Sequence, residues 1–267
     1  MIREPVVAGQ FYPGDPKILR REVHSYLVES RPLIEARAVV SPHAGYIYSG
    51  RVAGAVFSAV HLPNKFIILG PNHTGWGAPI SLAPDGHWRT PLGTAEIDRD
   101  LNLRLLSTCA DLEQERTAHL REHSLEVQLP FLQALVPEFR FAAICVATTD
   151  YETLEEFGHS LARVIQTAPE PILIVVSSDM NHYESAEVAY RKDQCAIERI
   201  QALDARGLFE VIGAEDISMC GFAPTVAAII ACRDLGATEG RLVRYANSGE
   251  VSGDYGSVVG YAGLAIV

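Results

Sequence analysis

The stretch "PILIVVSSDMNH", residues 171–182, runs five aliphatic side chains, Ile172 to Val176, into a polar turn that ends on a histidine. A strand that is apolar at every position, rather than at alternate ones, is covered on both faces. That pattern belongs to a parallel sheet held between helical layers. "ARAVV" (36–40), "KFIIL" (65–69) and "FAAICV" (141–146) repeat it, each bounded by turn residues. Helical periodicity fills the intervals. In "DYETLEEFGHSLARVIQ", from Asp150, an N-cap residue and first-turn acids precede Leu154, Phe157, Leu161, Val164 and Ile165 on one face. Residues 186–203, 206–213 and 224–235 also read as helices, and "YGSVVGYAGLAIV" closes the chain as a Gly-punctuated strand. The expected fold is α/β, a three-layer α/β/α sandwich around a mostly parallel or mixed sheet. With no repeat and no Pro/Gly/Ser-rich linker, residues 1–267 are expected to form a single domain. The Gly- and Pro-rich span 70–98 reads as a long functional loop.

Composition narrows the partners. The chain has 267 residues, is 48% hydrophobic, and carries a formal net charge of -11. Such a field repels nucleic acid and anionic membrane surfaces, so small molecules or proteins are the expected ligands. The start, "MIREPVVAGQFYPGDP", lacks a long apolar core behind a basic cluster, and no run reaches the ~18 apolar residues of a membrane span. A soluble cytoplasmic chain is the expectation. Five cysteines form no C-x-x-C pair, which argues against a disulfide framework or a zinc ribbon.

Two further apolar runs end as the first does. "VVSPH" delivers His43, "IILGPNH" delivers His73 and "IVVSSDMNH" delivers His182. In open α/β sheets ligands gather at the carboxyl ends of the strands, so parallel strands would bring these three imidazoles to one edge. His123, in "REHSLEVQLPFLQAL", opens a segment whose Leu125, Leu129, Leu132 and Val136 share a helical face that Pro130 would bend. Cys220, in "ISMCGFAPTVAAIIAC", precedes Gly221 and Pro224 at the start of a helix, where thiolate is favoured. Cys145 and Cys232 read as small buried hydrophobes, and His159 as a solvated residue. His24, His61, His87 and His119 have no supporting context, and the Tyr46–Ile47–Tyr48 alternation reads as plain packing.

Eight blocks, "AGQFYP", "SPHAGYIYSG", "LGPNHTG", "WRTPLGTAEID", "EHSLEVQLPFLQ", "VSSDMNH", "MCGFAP" and "YANSGEVSGDYGSVVGYAG", occur in the order found in the Memo-like family, also called AmmeMemoRadiSam system protein B. The resemblance spans nearly the whole chain. That family in turn resembles the class III extradiol dioxygenases, non-haem iron enzymes with an α/β/α sandwich. By this resemblance His43, His73 and Cys220 match the metal ligands, with Cys220 standing where the ring-cleaving enzymes have a carboxylate. His123 and His182 match residues that help bind substrate and oxygen or move protons, and Asp179 resembles an acid at the edge of that site, so the resemblance implies these three as the catalytic groups.

A His/His/Cys set suits iron(II) or copper, with zinc also possible, because thiolate is a soft donor. The resemblance thus implies a metal-dependent, dioxygenase-like oxidoreductase acting on a small molecule or peptide. It leaves open a non-catalytic module that holds a peptide or modified residue in the same cleft, alongside AMMECR-type and radical S-adenosylmethionine partners. A metallohydrolase is the further alternative. Neither H-E-x-x-H, G-x-S-x-G nor a nucleotide-binding glycine motif occurs.

Overall fold

The computed structural model describes residues 1–29 and 32–267. At its centre lies a parallel array: Gly93–Ile97, Arg140–Val146, Lys65–Pro71, Ile172–Ser177 and Ala38–Ser41 are hydrogen-bonded in that order. Antiparallel strands extend one side, where Val258–Ile266 pairs with Ala38–Ser41 and carries Gly240–Asn247 along it. On the other side the hairpin His87–Thr90/Gly93–Ile97 receives the short N-terminal strand Ile2–Arg3.

The apolar runs explain the layers. Along Lys65–Pro71, Ile67 and Leu69 pack into one buried cluster while Phe66 and Ile68 pack into the other. Ile174 and Val176 oppose Leu173 and Val175 in the same way. Helices Tyr151–Gln166 and Phe222–Asp234 cover the first face. Gly158 lets them close, since a Cβ there would lie 2.7 Å from the carbonyl oxygen of Ala227. Helix Tyr46–Ala59 covers the second face with Pro16–Tyr26. The α/β/α sandwich expected from the sequence is therefore the architecture found. No described helix is long and apolar enough to cross a membrane.

Two local expectations are corrected. Residues 70–98 are not one loop, because they contain the strands Ile80–Leu82, His87–Thr90 and Gly93–Ile97. These short segments owe their form to pairing with Arg140–Val146 and with one another, which local composition does not encode. Tyr46–Ile47–Tyr48 opens a helix rather than an extended stripe. Tyr46 is buried and donates to the Val127 carbonyl at 2.6 Å, whereas Ile47 and Tyr48 face outward.

The N-terminal segment is fastened across the molecule by one carboxylate. Glu126, fully buried, accepts from Arg3 Nη1 at 2.6 Å, from the Val6 and Val7 amides, and from the Tyr12 hydroxyl at 2.6 Å. The segment it holds then accepts the Tyr46 amide on Phe11 O at 2.7 Å, next to the His43 turn. Removing one partner of a buried ion pair strands the other. Glu126→Ala is expected to cost about 3–5 kcal/mol in urea unfolding, and a loss within error of zero would contradict this anchoring role.

Candidate metal centre

Strand register sets the site. Val176 is paired with both Val40 and Leu69, so the three parallel strands finish at one level and release the turns that carry His43, His73 and His182. His43 is buried at the centre of the edge. Its Nδ1 lies 2.8 Å from Ser177 Oγ, which donates to Ser124 O at 2.7 Å and accepts from Gln128 Nε2 at 2.8 Å. A hydroxyl has a single proton, and Ser177 places it on a carbonyl. The arrangement that satisfies every partner has the His43 proton on Nδ1, leaving the Nε2 lone pair directed into the site. Burial first, and then the neighbouring His123 and His73, hold its pKa well below the usual histidine range, so the ring is neutral.

His73 is set by a buried carboxylate that the sequence reading passed over. Glu122 Oε2 accepts the His73 amide at 2.6 Å, and Oε1 faces His73 Nδ1 at 2.9 Å while accepting the amides of His123 and Ser124. Burial works to raise the pKa of Glu122, yet the hydrogen bond and charge of His73 and the Ser124 amide hold it at about 2. For His73, burial lowers the pKa and Glu122 more than reverses it, so the value is raised. A carboxylate accepts only, so His73 presents a protonated Nδ1 to Glu122 and keeps Nε2 for the site. This is the carboxylate–histidine pairing that orients metal-ligating imidazoles.

His123 completes a trio. One nitrogen from each of His43, His73 and His123 lies within 4.8 Å of the others, a spacing that allows a shared metal ion. The His73 and His123 rings stack at 4.9 Å, and Phe11 closes edge-on against His123 at 4.8 Å. Burial above all lowers the His123 pKa, again favouring the neutral ring.

Cys220 and Asp179 adjoin the trio on the His43 side. Cys220 Sγ is 3.4 Å from His43 Nε2 and accepts the Asp179 amide at 3.3 Å. Gly221 permits this approach, because a Cβ there would lie 2.5 Å from Ser178 Cβ. Burial, reinforced by Asp179, pushes the Cys220 thiol pKa up, which corrects the expectation that a helix start would favour thiolate there. Asp179 Oδ1 accepts the His43 amide at 2.8 Å, and burial raises its own pKa despite that bond. His182 stands further out. Its Nδ1 donates to Ser218 O at 3.0 Å, and its charge would act on both Asp179 and His43. Beside it the exposed Tyr183 has a left-handed backbone, φ 63°.

The fold thus brings His43, His73, His123, Cys220 and Asp179 into one cluster and sets His182 at its margin. The cluster of nitrogens closest in space uses His123, whereas of the three histidines Cys220 is hydrogen-bonded to His43. Glu122, Ser177 and Gln128 went unnoticed in the sequence. Glu122 adjoins His123 and carries the only local signal, since the two serve as neighbours on one turn. His119 also differs from its reading, being buried with Nδ1 at 3.4 Å from Cys145 Sγ, and His159 is paired to Asp234 at 2.6 Å.

Comparison with known proteins finds relatives over nearly the whole chain. Residues 3–265 match the family model described as Memo-like protein. A MEMO1 family protein of Methanopyrus kandleri is 44% identical, covering 99% of this chain and 98% of that protein. One from Aquifex aeolicus is 43% identical, covering 98% of each. The crystal structure of an uncharacterized protein from Escherichia coli K12 superposes with a TM-score of 0.60 at 13% identity, covering 87% of this chain and 100% of that one, a likeness of fold.

Metal binding requires neutral imidazoles, and the proton held by His73 is the competitor that matters near neutrality. Affinity is therefore expected to rise with pH until His73 has passed its raised pKa, with proton release on uptake. Glu122→Gln removes the group that raises it. Metal titrations followed across pH should show about 10–100-fold weaker binding in that variant and a midpoint displaced to lower pH. An unchanged midpoint would contradict the role given to Glu122.

Proposed function

The chain belongs to the Memo-like protein family, and from that premise we propose a metal-binding protein with dioxygenase-like oxidoreductase activity at the His43/His73 edge. The observation that carries the proposal is the anchoring of His43 Nδ1 by Ser177 and of His73 Nδ1 by Glu122, which leaves both Nε2 atoms to a metal within the histidine trio. Cys220 supplies the third ligand in this reading, and His123 stands next to the two histidines as proton carrier or further donor. Imidazole and thiolate donors fit iron(II), copper or zinc, and a hard-cation site would have wanted oxygen ligands instead. A bound iron or copper would supply the redox chemistry.

The protein's own groups would prepare it. Neutral His43 binds without charge cost, whereas His73 must first release the proton that Glu122 favours and the thiol of Cys220 must give up its own before it can ligate. Asp179, whose carboxylate lies 3.9 Å from His43 Nε2 and whose raised pKa makes it a stronger base than a free carboxylate, would take the thiol proton or pass it outward. His182, with Nδ1 committed to Ser218 O, offers Nε2 as the acid or base on the solvent side. Exposed Trp76 and Tyr183 follow His73 and His182 along the chain and suit an aromatic ligand, small molecule or peptide. AMMECR-type and radical S-adenosylmethionine proteins remain the partners that this reading would supply or follow.

Protein purified without oxygen is expected to hold about one iron or copper per chain. His43→Ala and Cys220→Ser should lose it with circular dichroism unchanged, and oxygen uptake with catechol-like probes should follow the metal. Firmly held zinc without oxygen uptake would contradict the oxidoreductase reading and favour a binding module.

A further inference from the structure

Along the same edge of the sheet, beyond the metal cluster, lies a concavity of about 220 Å³ lined by Tyr48, Arg51, Arg244, Asn247 and Glu250. Its position follows from strand direction. Gly240–Asn247 is antiparallel to Val258–Ile266, which is antiparallel to Ala38–Ser41, so Asn247 emerges at the edge where Ser41 leads to His43. Tyr48 and Arg51 come from the first two turns of helix Tyr46–Ala59, which begins just after the His43 turn. Between pocket and cluster stands Tyr261, paired with Ala246 and acted on by the charge of Asp179.

The charge arrangement is the informative feature. The chain has 33 acids against 22 lysines and arginines, so two arginines lining one concavity run against the net charge. Arg241, on the same strand, is paired to Glu239 at 2.7 Å. Among the described residues no carboxylate lies within ion-pair distance of Arg51 or Arg244, although Glu250 lines the same concavity. Glu250 turns its Oε1 to the Asn247 amide at 3.3 Å instead. Arg244 is half-buried and Arg51 exposed, so both guanidiniums are reached by solvent and stay available to a ligand. Two arginines lining one cavity of this size suit the planar, two-pronged recognition of an oxyanion.

We propose that Arg51 and Arg244 form an oxyanion-binding subsite, which receives the carboxylate or phosphate group of a ligand lying along the sheet edge. The subsite does not depend on the metal reading, because none of its residues belongs to the histidine cluster. Calorimetric titration of the full chain, stripped of metal by chelator, at low ionic strength tests it with inorganic phosphate, phenyl phosphate and benzoate. Saturable binding of at least one probe is expected, weakened about tenfold or more in Arg51→Ala and in Arg244→Ala. It should persist in His43→Ala and tighten in Glu250→Gln, which removes the opposing charge. A preference between phenyl phosphate and benzoate that vanishes in the arginine variants identifies the anion. No saturable binding of any probe, or equal binding in wild type and both arginine variants, would overturn the proposal. So would loss in His43→Ala with the arginine variants unaffected, since the anion would then sit on the histidines.

Discussion

Registry between Ala38–Ser41, Ile172–Ser177 and Lys65–Pro71 governs what can meet at the working edge of this protein. Parallel strands paired through Val40, Val176 and Leu69 must end at one height, and the residues that follow are then forced into one small volume. A one-residue slip of any strand would turn its apolar side chains to the wrong cluster, so the two buried faces enforce the register. Burial of the strands on both sides is thus the origin of the site as well as of the fold.

Bringing polar groups to that edge has a cost, and the structure meets most of it with shared acceptors, leaving Gln128 Oε1 and Ser41 Oγ without a partner among the described residues. Ser177 links the His43 strand to Gln128 and Ser124, while Glu122 gathers the amides of His73, His123 and Ser124. The segment 122–128 therefore acts as the underside of the site, and its own position depends on Glu126 and the N-terminal strap. The same contacts that satisfy buried polar groups choose the tautomers of His43 and His73. Stability and chemistry rest here on one hydrogen-bond network.

The four central strands and the helix Tyr151–Gln166 were legible in the sequence because their burial is written in every side chain they carry. The strand-end histidines were legible for the same reason, once parallel strands were inferred. Edge strands between Ile80 and Ile97 were not, since pairing partners far along the chain create them. Glu122 and Gln128 were hidden differently. On a stretch with helical periodicity they read as ordinary polar positions, and only the approach of Ser177, separated from Ser124 by 53 residues, reveals what lies beneath the site. The resemblance to Memo-like proteins pointed to Cys220 as a ligand and to His123 as a proton- or substrate-handling residue, and the structure adds that His123 is a close neighbour of both histidines.

The most direct measurement is X-ray absorption on the protein loaded with one metal, beginning with zinc for its known bond lengths. Imidazole nitrogens at about 2.0–2.1 Å with their outer-ring scattering, and a sulfur at about 2.3 Å if Cys220 ligates, are expected. Loss of imidazole scattering in His43→Ala and in His73→Ala would complete the result. A shell of oxygen alone, or a spectrum unchanged by both substitutions, would contradict a metal centre built on these strand ends.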